Sequence, residues 1–121
     1  MQTIVAIFIG GGLGSVCRYL LSRAVTGNFT NINPLATFLS NLVSTIILGF
    51  IIFWAGSKFE LSGTVKAMLI IGFCGGFSTF STFSYETFEL LRTGSYVYAV
   101  ANIFVSVLLG VGVLFLLSKS F

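Results

Sequence analysis

The sequence has no histidine and no aspartate. Without imidazole, neither a His-bearing zinc site nor a Ser-His-Asp triad can be assembled. Cysteine is almost as scarce, since Cys17 and Cys74 both lie inside apolar runs and leave no disulfide framework. An enzyme is therefore not expected. Charge is the third scarcity: only 7% of the 121 residues are charged, against roughly 25% in a soluble domain. Such a chain has far too little polar surface to fold around one core in water. Its net charge of +3 does not point to nucleic acid, because the six basic residues are scattered as Arg18, Arg23, Lys58, Lys66, Arg92 and Lys119. Basic residues that flank membrane spans account for them.

What the chain has in excess is apolar length. It is 56% hydrophobic, and its four long apolar stretches, at about 20 residues per crossing of a roughly 30 Å hydrocarbon layer, take up about 80 residues. The expectation is an all-α membrane protein with four transmembrane helices, 1–121 forming a single integral membrane domain in the lipid bilayer. The first span is read from about Thr3 to Leu21. It lacks the basic start and the small-x-small end of a cleaved signal peptide, so it is expected to remain in the mature protein. A polar, turn-rich stretch from Thr26 to Asn33 leads to Pro34, which suits a first helical turn because its missing N–H would be unpaired there. The second span then runs to about Trp54, an aromatic suited to the membrane interface, and Gly56, Ser57, Lys58, Glu60 and Ser62 make a short polar loop. The third segment runs from about Val65 to Leu91. After a turn at Arg92-Thr93-Gly94-Ser95, the fourth runs from about Tyr96 to Leu117.

Lys and Arg near the span ends decide which side a loop takes. Here the N-terminus, the Lys58/Lys66 loop and Lys119 give three basic residues on one side, and Arg18, Arg23 and Arg92 give three on the other. A tie leaves two options: one orientation fixed by something else, or insertion both ways and pairing as an antiparallel dimer. Four spans are few to enclose a pathway, which favours an oligomer. Gly10-xxx-Gly14, Gly72-xxx-Gly76 and Ser106-xxx-Gly110 allow close helix approach, either between subunits or within one.

The third segment carries Gly72-Phe73-Cys74-Gly75-Gly76-Phe77-Ser78-Thr79-Phe80-Ser81-Thr82-Phe83-Ser84-Tyr85-Glu86. Paired glycines followed by five hydroxyl residues in seven make a helix prone to break, because Gly weakens it and hydroxyls compete for the backbone. Broken backbone at membrane depth survives only inside protein or along a polar cavity. Carbonyls freed around Gly75 and Ser78 are able to coordinate a small cation; alternatively, Gly75-Gly76 is a packing notch and the hydroxyls bond back to the preceding turn. Phe80 and Phe83 share a helical face, and their positive ring edges suit an anion in a dry pore. On periodicity alone the favoured reading is that they are two of fourteen Phe residues filling a lipid-facing surface. Thr37, Asn41 and Ser44 fall on one face of the second span, as Asn102 and Ser106 do in the fourth. The Asn41 amide has two donors for an anion, and interhelical hydrogen bonding is the alternative use. Arg18 is read as snorkelling to the interface, with Glu86 as a candidate partner.

Together these residues resemble the dual-topology fluoride channels of the Fluc, or CrcB, family. The likeness spans nearly the whole chain and rests on three pieces: Gly11-Gly12-Leu13-Gly14-Ser15-Val16-Cys17-Arg18-Tyr19, Pro34 through Asn41 to Gly49, and Gly72 to Glu86. The last is specific and not a generic membrane pattern. The resemblance implies an antiparallel homodimer in the cell membrane, its third helix broken mid-membrane, with two narrow pores that let fluoride leave passively and a structural sodium ion at the dimer centre. By matching positions, Phe80 and Phe83 resemble the pore phenylalanines and Asn41 the pore amide. Gly75 and Ser78 resemble the sodium-holding carbonyls. Thr82, Ser84 and Ser106 are further candidates for hydroxyl contacts, and Arg18 resembles a vestibule basic residue.

The second span departs from the family pattern. Ala36, Ser44 and Ile46 stand where two glycines and a phenylalanine are usual, and Ser78 stands for the commoner Thr. These departures leave a sister subunit possible as partner. A different transport class, the small dual-topology multidrug exporter, needs an intramembrane carboxylate near the midplane. The first, second and fourth spans contain none, and Glu86 is placed toward the end of the third.

Overall fold

The computed structural model describes residues 1–26 and 34–121. The polar connection expected before Pro34 lies, apart from Thr26, outside the described residues. The described residues contain four helices long and apolar enough to cross a membrane: Gln2–Val25, Pro34–Lys58, Gly63–Arg92 and Tyr96–Ser120. We label the helices α1 (Gln2–Thr26), α2 (Pro34–Lys58), α3 (63–77), α4 (Phe80–Arg92) and α5 (Tyr96–Ser120); α3 and α4 together make the third span.

All-helical architecture follows from the solvent. In hydrocarbon every backbone N–H and C=O must be paired within the segment, and an α-helix achieves that. α1 and α5 each hold 25 residues, roughly 37 Å at 1.5 Å per residue, so both outlast the apolar core of a bilayer. This is why the helices extend past their expected ends at Leu21 and Leu117: hydropathy marks only the apolar part, and a formed helix continues through polar residues until something stops it. α2 begins at Pro34 as the sequence indicates, but it ends at Lys58, so the first three residues of the expected loop are still helical. Ser62 then caps the next helix by accepting from the Val65 N–H at 3.2 Å. The turn into α5 has Gly94 at φ +88°, a left-handed conformation that suits glycine. Beside it, Arg92 and Glu89 form a 2.8 Å ion pair.

Two stretches are wound wider than an α-helix, Phe50–Ala55 in α2 and Ala67–Cys74 in α3. At the end of the second, the Gly75 N–H reaches back five residues to the Ile70 carbonyl. Such π-type turns recur near functional sites, and this one leads directly into the glycine pair.

α1 packs mainly on α3, α2 mainly on α5, and α2 touches every other helix. Two of the three small-residue spacings are consumed in the α1–α3 crossing. A Cβ at Gly72 would lie 2.9 Å from the Ile7 carbonyl oxygen, and one at Gly76 2.5 Å from that of Gly11. A Cβ at Gly10 would collide with the Met68 carbonyl, and one at Gly14 with that of Phe73. These glycines therefore serve packing within one subunit. Gly12 and Gly110 instead face open space.

The bundle buries polar side chains beside Ala36, Cys74, Phe77 and Ala99, and it leaves long apolar faces outside. Thr37, Ser40, Ser44, Glu86 and Thr87 are buried, whereas Ile4, Phe8, Leu13 and Leu20 on α1 and Val97, Phe104, Leu108 and Phe115 on α5 are exposed. Ala99 is the one buried residue of α5. Exposed apolar faces this long belong against lipid or another membrane protein.

Candidate functional site

The site is organised where helical geometry stops. Ser78 (φ −83°, ψ 158°) and Thr79 (φ −150°, ψ 120°) are extended, and α4 starts at Phe80. The N–H groups of Ser78, Thr79 and Thr82 all find acceptors there. The Ser78 N–H and hydroxyl both donate to the Cys74 carbonyl, at 3.0 and 2.9 Å. Thr79 caps α4, its Oγ1 accepting from the Thr82 N–H at 3.2 Å. The Thr79 N–H donates to Asn41 Oδ1 at 2.8 Å, and Asn41 Nδ2 returns a longer bond, 3.4 Å, to the Thr79 carbonyl. Asn41 thus grips the Thr79 peptide from α2. From α1, Arg18 Nε donates to the Gly76 carbonyl at 3.3 Å. Its guanidinium therefore serves the C-terminal end of α3, where unpaired carbonyls and the helix dipole attract positive charge. This is a more specific role than snorkelling to the interface.

Beside this interruption lies a cleft of about 280 Å³, lined by Asn41, Ser78, Thr79, Phe80, Phe83, Ser106 and Val107. It brings together Asn41, Phe80, Phe83 and Ser106, four of the six residues expected to meet an anion. Thr82 and Ser84 are not in its wall: the Thr82 N–H is engaged by the cap, and Ser84 is exposed. The Phe80 and Phe83 ring centroids are 6.1 Å apart, with the ring planes inclined by 40°. Phe83 is half-buried, but Phe80 is 80% exposed and presents its ring away from its own subunit.

No side chain lining the cleft carries a formal charge. Its electrostatics come from dipoles: the N-terminus of α4, the Asn41 amide and hydroxyls. A helix N-terminus carries partial positive charge and unpaired N–H groups, which favour an anion. Among the described residues, Ser106 Oγ is buried with no hydrogen-bond partner. It also borders a second cleft of about 490 Å³, which runs past Asn102 to Tyr98 and Leu90. Asn102 Nδ2 donates to Thr87 Oγ1 at 3.1 Å, and that hydroxyl donates to the Phe83 carbonyl at 2.8 Å, so α5 is tied to the turn that carries Phe83.

Thr79 is the residue of the cleft wall, paired with Asn41, that sequence reasoning missed. A signal was present, since a Thr immediately before a helix restart is a preferred N-cap; its pairing with Asn41 has no local signature.

The proposed cation ligands can be tested by their donors. In an unbroken helix the Gly75 carbonyl would accept from the Thr79 N–H and the Ser78 carbonyl from the Thr82 N–H. Both donors are turned elsewhere, to Asn41 and to the Thr79 hydroxyl. Two neutral carbonyl oxygens are thereby released, and this donor type suits a hard cation such as sodium. Among the described residues there is no cluster of three or more His, Cys, Asp or Glu.

Comparison with known proteins agrees with the earlier resemblance. The family described as "CrcB-like protein, Camphor Resistance (CrcB)" matches residues 5–117. A "Fluoride-specific ion channel FluC" of Pyrococcus abyssi is 43% identical over 118 residues, covering 96% of this chain and 93% of the relative. Proteins of the same name from Phocaeicola vulgatus (40% over 111 residues, 92% and 91% covered) and Escherichia coli O139:H28 (41% over 108 residues, 89% and 84% covered) are also similar. With a family match across nearly its whole length and relatives at this identity, the chain belongs to the CrcB family.

Proposed function

We propose that this chain is a fluoride-selective ion channel that lets fluoride leave the cell passively across the cell membrane and so lowers cytoplasmic fluoride. The observation that carries the reading is the cleft free of charged side chains that joins Asn41, Phe80, Phe83 and Ser106 beside the α4 N-terminus. Family membership and the printed names of the relatives support it.

In this reading fluoride sheds part of its water shell on entering the pore, and the cleft's donors replace it in part. Asn41 has two amide hydrogens; one is directed at the Thr79 carbonyl, and the other remains for the ion. The Ser106 hydroxyl supplies a second donor, and the edges of Phe80 and Phe83 supply weak positive potential. A wall without full charges binds weakly enough for release, which conduction requires.

The working unit in this proposal is an antiparallel, dual-topology homodimer with two pores, and the interruption at Ser78–Thr79 sits mid-membrane. The three-against-three charge tie is what insertion in both directions needs. The outward-facing Phe80 ring and the exposed Gly75 lie on surface a second copy would cover. When bound at the dimer centre, sodium would be held by the Gly75 and Ser78 carbonyls and would supply structural positive charge between the two pores.

The test is fluoride-electrode efflux from liposomes containing only this chain. Fluoride release without chloride release is expected; equal efflux of both ions defeats the selectivity claim. Failure of the chain alone, restored by a related subunit, would point to a heterodimer. Phe80→Ile and Phe83→Ile should each slow fluoride efflux about tenfold or more, the effect of losing about 1.4 kcal/mol at the barrier.

A proton-coupled exporter of lipophilic cations keeps one observation in its favour: Glu86 is only 2% exposed. Gradient-dependent cation export that disappears in Glu86→Gln would establish it in place of the channel.

A further inference from the structure

We propose that Ser44 is a positioning residue for the cation-holding carbonyls of Gly75 and Ser78. Its hydroxyl, from α2, fixes the last carbonyl before the glycine pair. The proposal rests on the sodium reading given above and extends it to a residue outside that ligand set.

Ser44 is 3% exposed, and its Oγ donates to the Cys74 carbonyl at 2.9 Å. That carbonyl already accepts the Ser78 N–H at 3.0 Å and the Ser78 hydroxyl at 2.9 Å. Three donors on one oxygen exceed what helix continuity needs, since a carbonyl has two lone pairs. The next peptide belongs to Gly75, followed by Gly76, where the absence of Cβ atoms leaves the chain the most freedom to turn. Three side chains from α1 and α2 hold this stretch: Ser44 at Cys74, Arg18 at Gly76 and Asn41 at Thr79. Ser44 is the tether on the upstream side of the Gly75 carbonyl. Ser78, the other donor to Cys74, is itself a proposed ligand residue; its hydroxyl is turned back onto the helix, so it offers the cation its backbone oxygen.

A satisfied core hydroxyl would look similar, and the two roles differ in one measurable respect. Without Ser44 the Cys74 carbonyl keeps both bonds from Ser78, so little stability should be lost while the cation site is empty. With sodium present, a loosened Gly75 peptide binds it less well. A ligand stabilises the state it binds by an amount that grows with its concentration relative to Kd.

The experiment follows thermal unfolding of the purified, detergent-solubilised full-length protein across a sodium series, with N-methyl-glucamine and potassium as replacements and no fluoride present. The wild-type Tm should rise with sodium alone. Ser44→Ala should match wild type closely in sodium-free buffer and fall behind as sodium is added, needing about three to ten times more sodium for an equal rise, the change expected for one hydrogen bond. A Tm deficit that is the same at every sodium concentration would mean a purely structural hydroxyl and overturn the proposal. No sodium-specific rise in wild type would remove both the sodium reading and the role of Ser44; fluoride efflux from the same preparation would still judge the channel reading separately. If Ser44→Ala does not fold, Ser44→Cys keeps the volume with a weak donor and is held to the same outcomes.

Discussion

Gly14→Val is expected to leave almost no folded protein recoverable from the membrane. A Cβ at Gly14 would meet the Phe73 carbonyl oxygen, and it would also lie 2.9 Å from the Phe77 nitrogen. Both obstacles are backbone atoms of α3, so no side chain can swing aside to make room. Overpacking a core usually costs about 1–3 kcal/mol, and here relief requires α1 and α3 to separate along the crossing that Gly10, Gly72 and Gly76 also share. Separation would pull α3 from Arg18 and disturb the carbonyls before Ser78. Gly12→Val supplies the contrast, because a Cβ there meets nothing within 4 Å in the subunit. Extraction in mild detergent, followed by size-exclusion chromatography and thermal melting, should give an aggregated or absent Gly14→Val and a monodisperse Gly12→Val. A Gly14→Val protein that melts like wild type would mean the α1–α3 crossing is looser than described.

The spans were legible because apolar length is a direct consequence of bilayer thickness: Pro34 as a helix start and the turn at Gly94 both stand where residue type put them. The ends were less legible. Lys58 and Ser120 belong to helices, yet a hydropathy argument stops where polar residues begin. The π-type winding at Phe50–Ala55 and Ala67–Cys74 had no signature at all, since Ile, Phe and Met runs are equally compatible with ordinary helix. The small-residue spacings revealed which residues permit close approach but not which helix approaches. Gly10-xxx-Gly14 and Gly72-xxx-Gly76 turned out to face each other.

At the candidate site, the residues legible in sequence were those whose chemistry is unusual for a membrane span: the Asn41 amide, the Phe80/Phe83 pair and the Ser106 hydroxyl, which the fold gathers around one cleft. Their hydrogen-bond partners were not legible. The pairing of Asn41 with Thr79 joins residues 38 apart in sequence, and the bond from Ser44 to Cys74 spans 30. Such contacts follow from how α2 lies against the end of α3, which no local pattern encodes. Arg18 illustrates the same limit. Its charge near a span end was visible, whereas its carbonyl partner at Gly76 depends on the glycine crossing that brings α1 close.

Asn41→Asp should fold and yet lose nearly all fluoride conduction at neutral pH. The substitution separates the two jobs of the amide. An aspartate oxygen in place of Asn41 Oδ1 still accepts from the Thr79 N–H, now through a charge-assisted bond, so the extended geometry at Ser78–Thr79 keeps its tether. The NH₂ group, however, becomes an acceptor facing the Thr79 carbonyl, and a negative charge enters a cleft whose walls have none to balance it. Two like unit charges about 4 Å apart repel by about 4 kcal/mol at an effective dielectric constant of about 20, which is roughly a thousandfold in rate. Asn41→Ala is expected to behave differently, since it removes the acceptor for the Thr79 N–H and lowers stability along with flux. Low pH provides a rescue specific to the aspartate. Protonation of the carboxylate removes the charge and restores an O–H donor, so Asn41→Asp should regain efflux as pH falls while Asn41→Ala should not. Efflux from protein-free liposomes at each pH corrects for neutral hydrogen fluoride crossing the lipid unaided. If Asn41→Asp conducts like wild type at neutral pH, the ion does not pass Asn41, and the pore must be sought along another wall of the bundle.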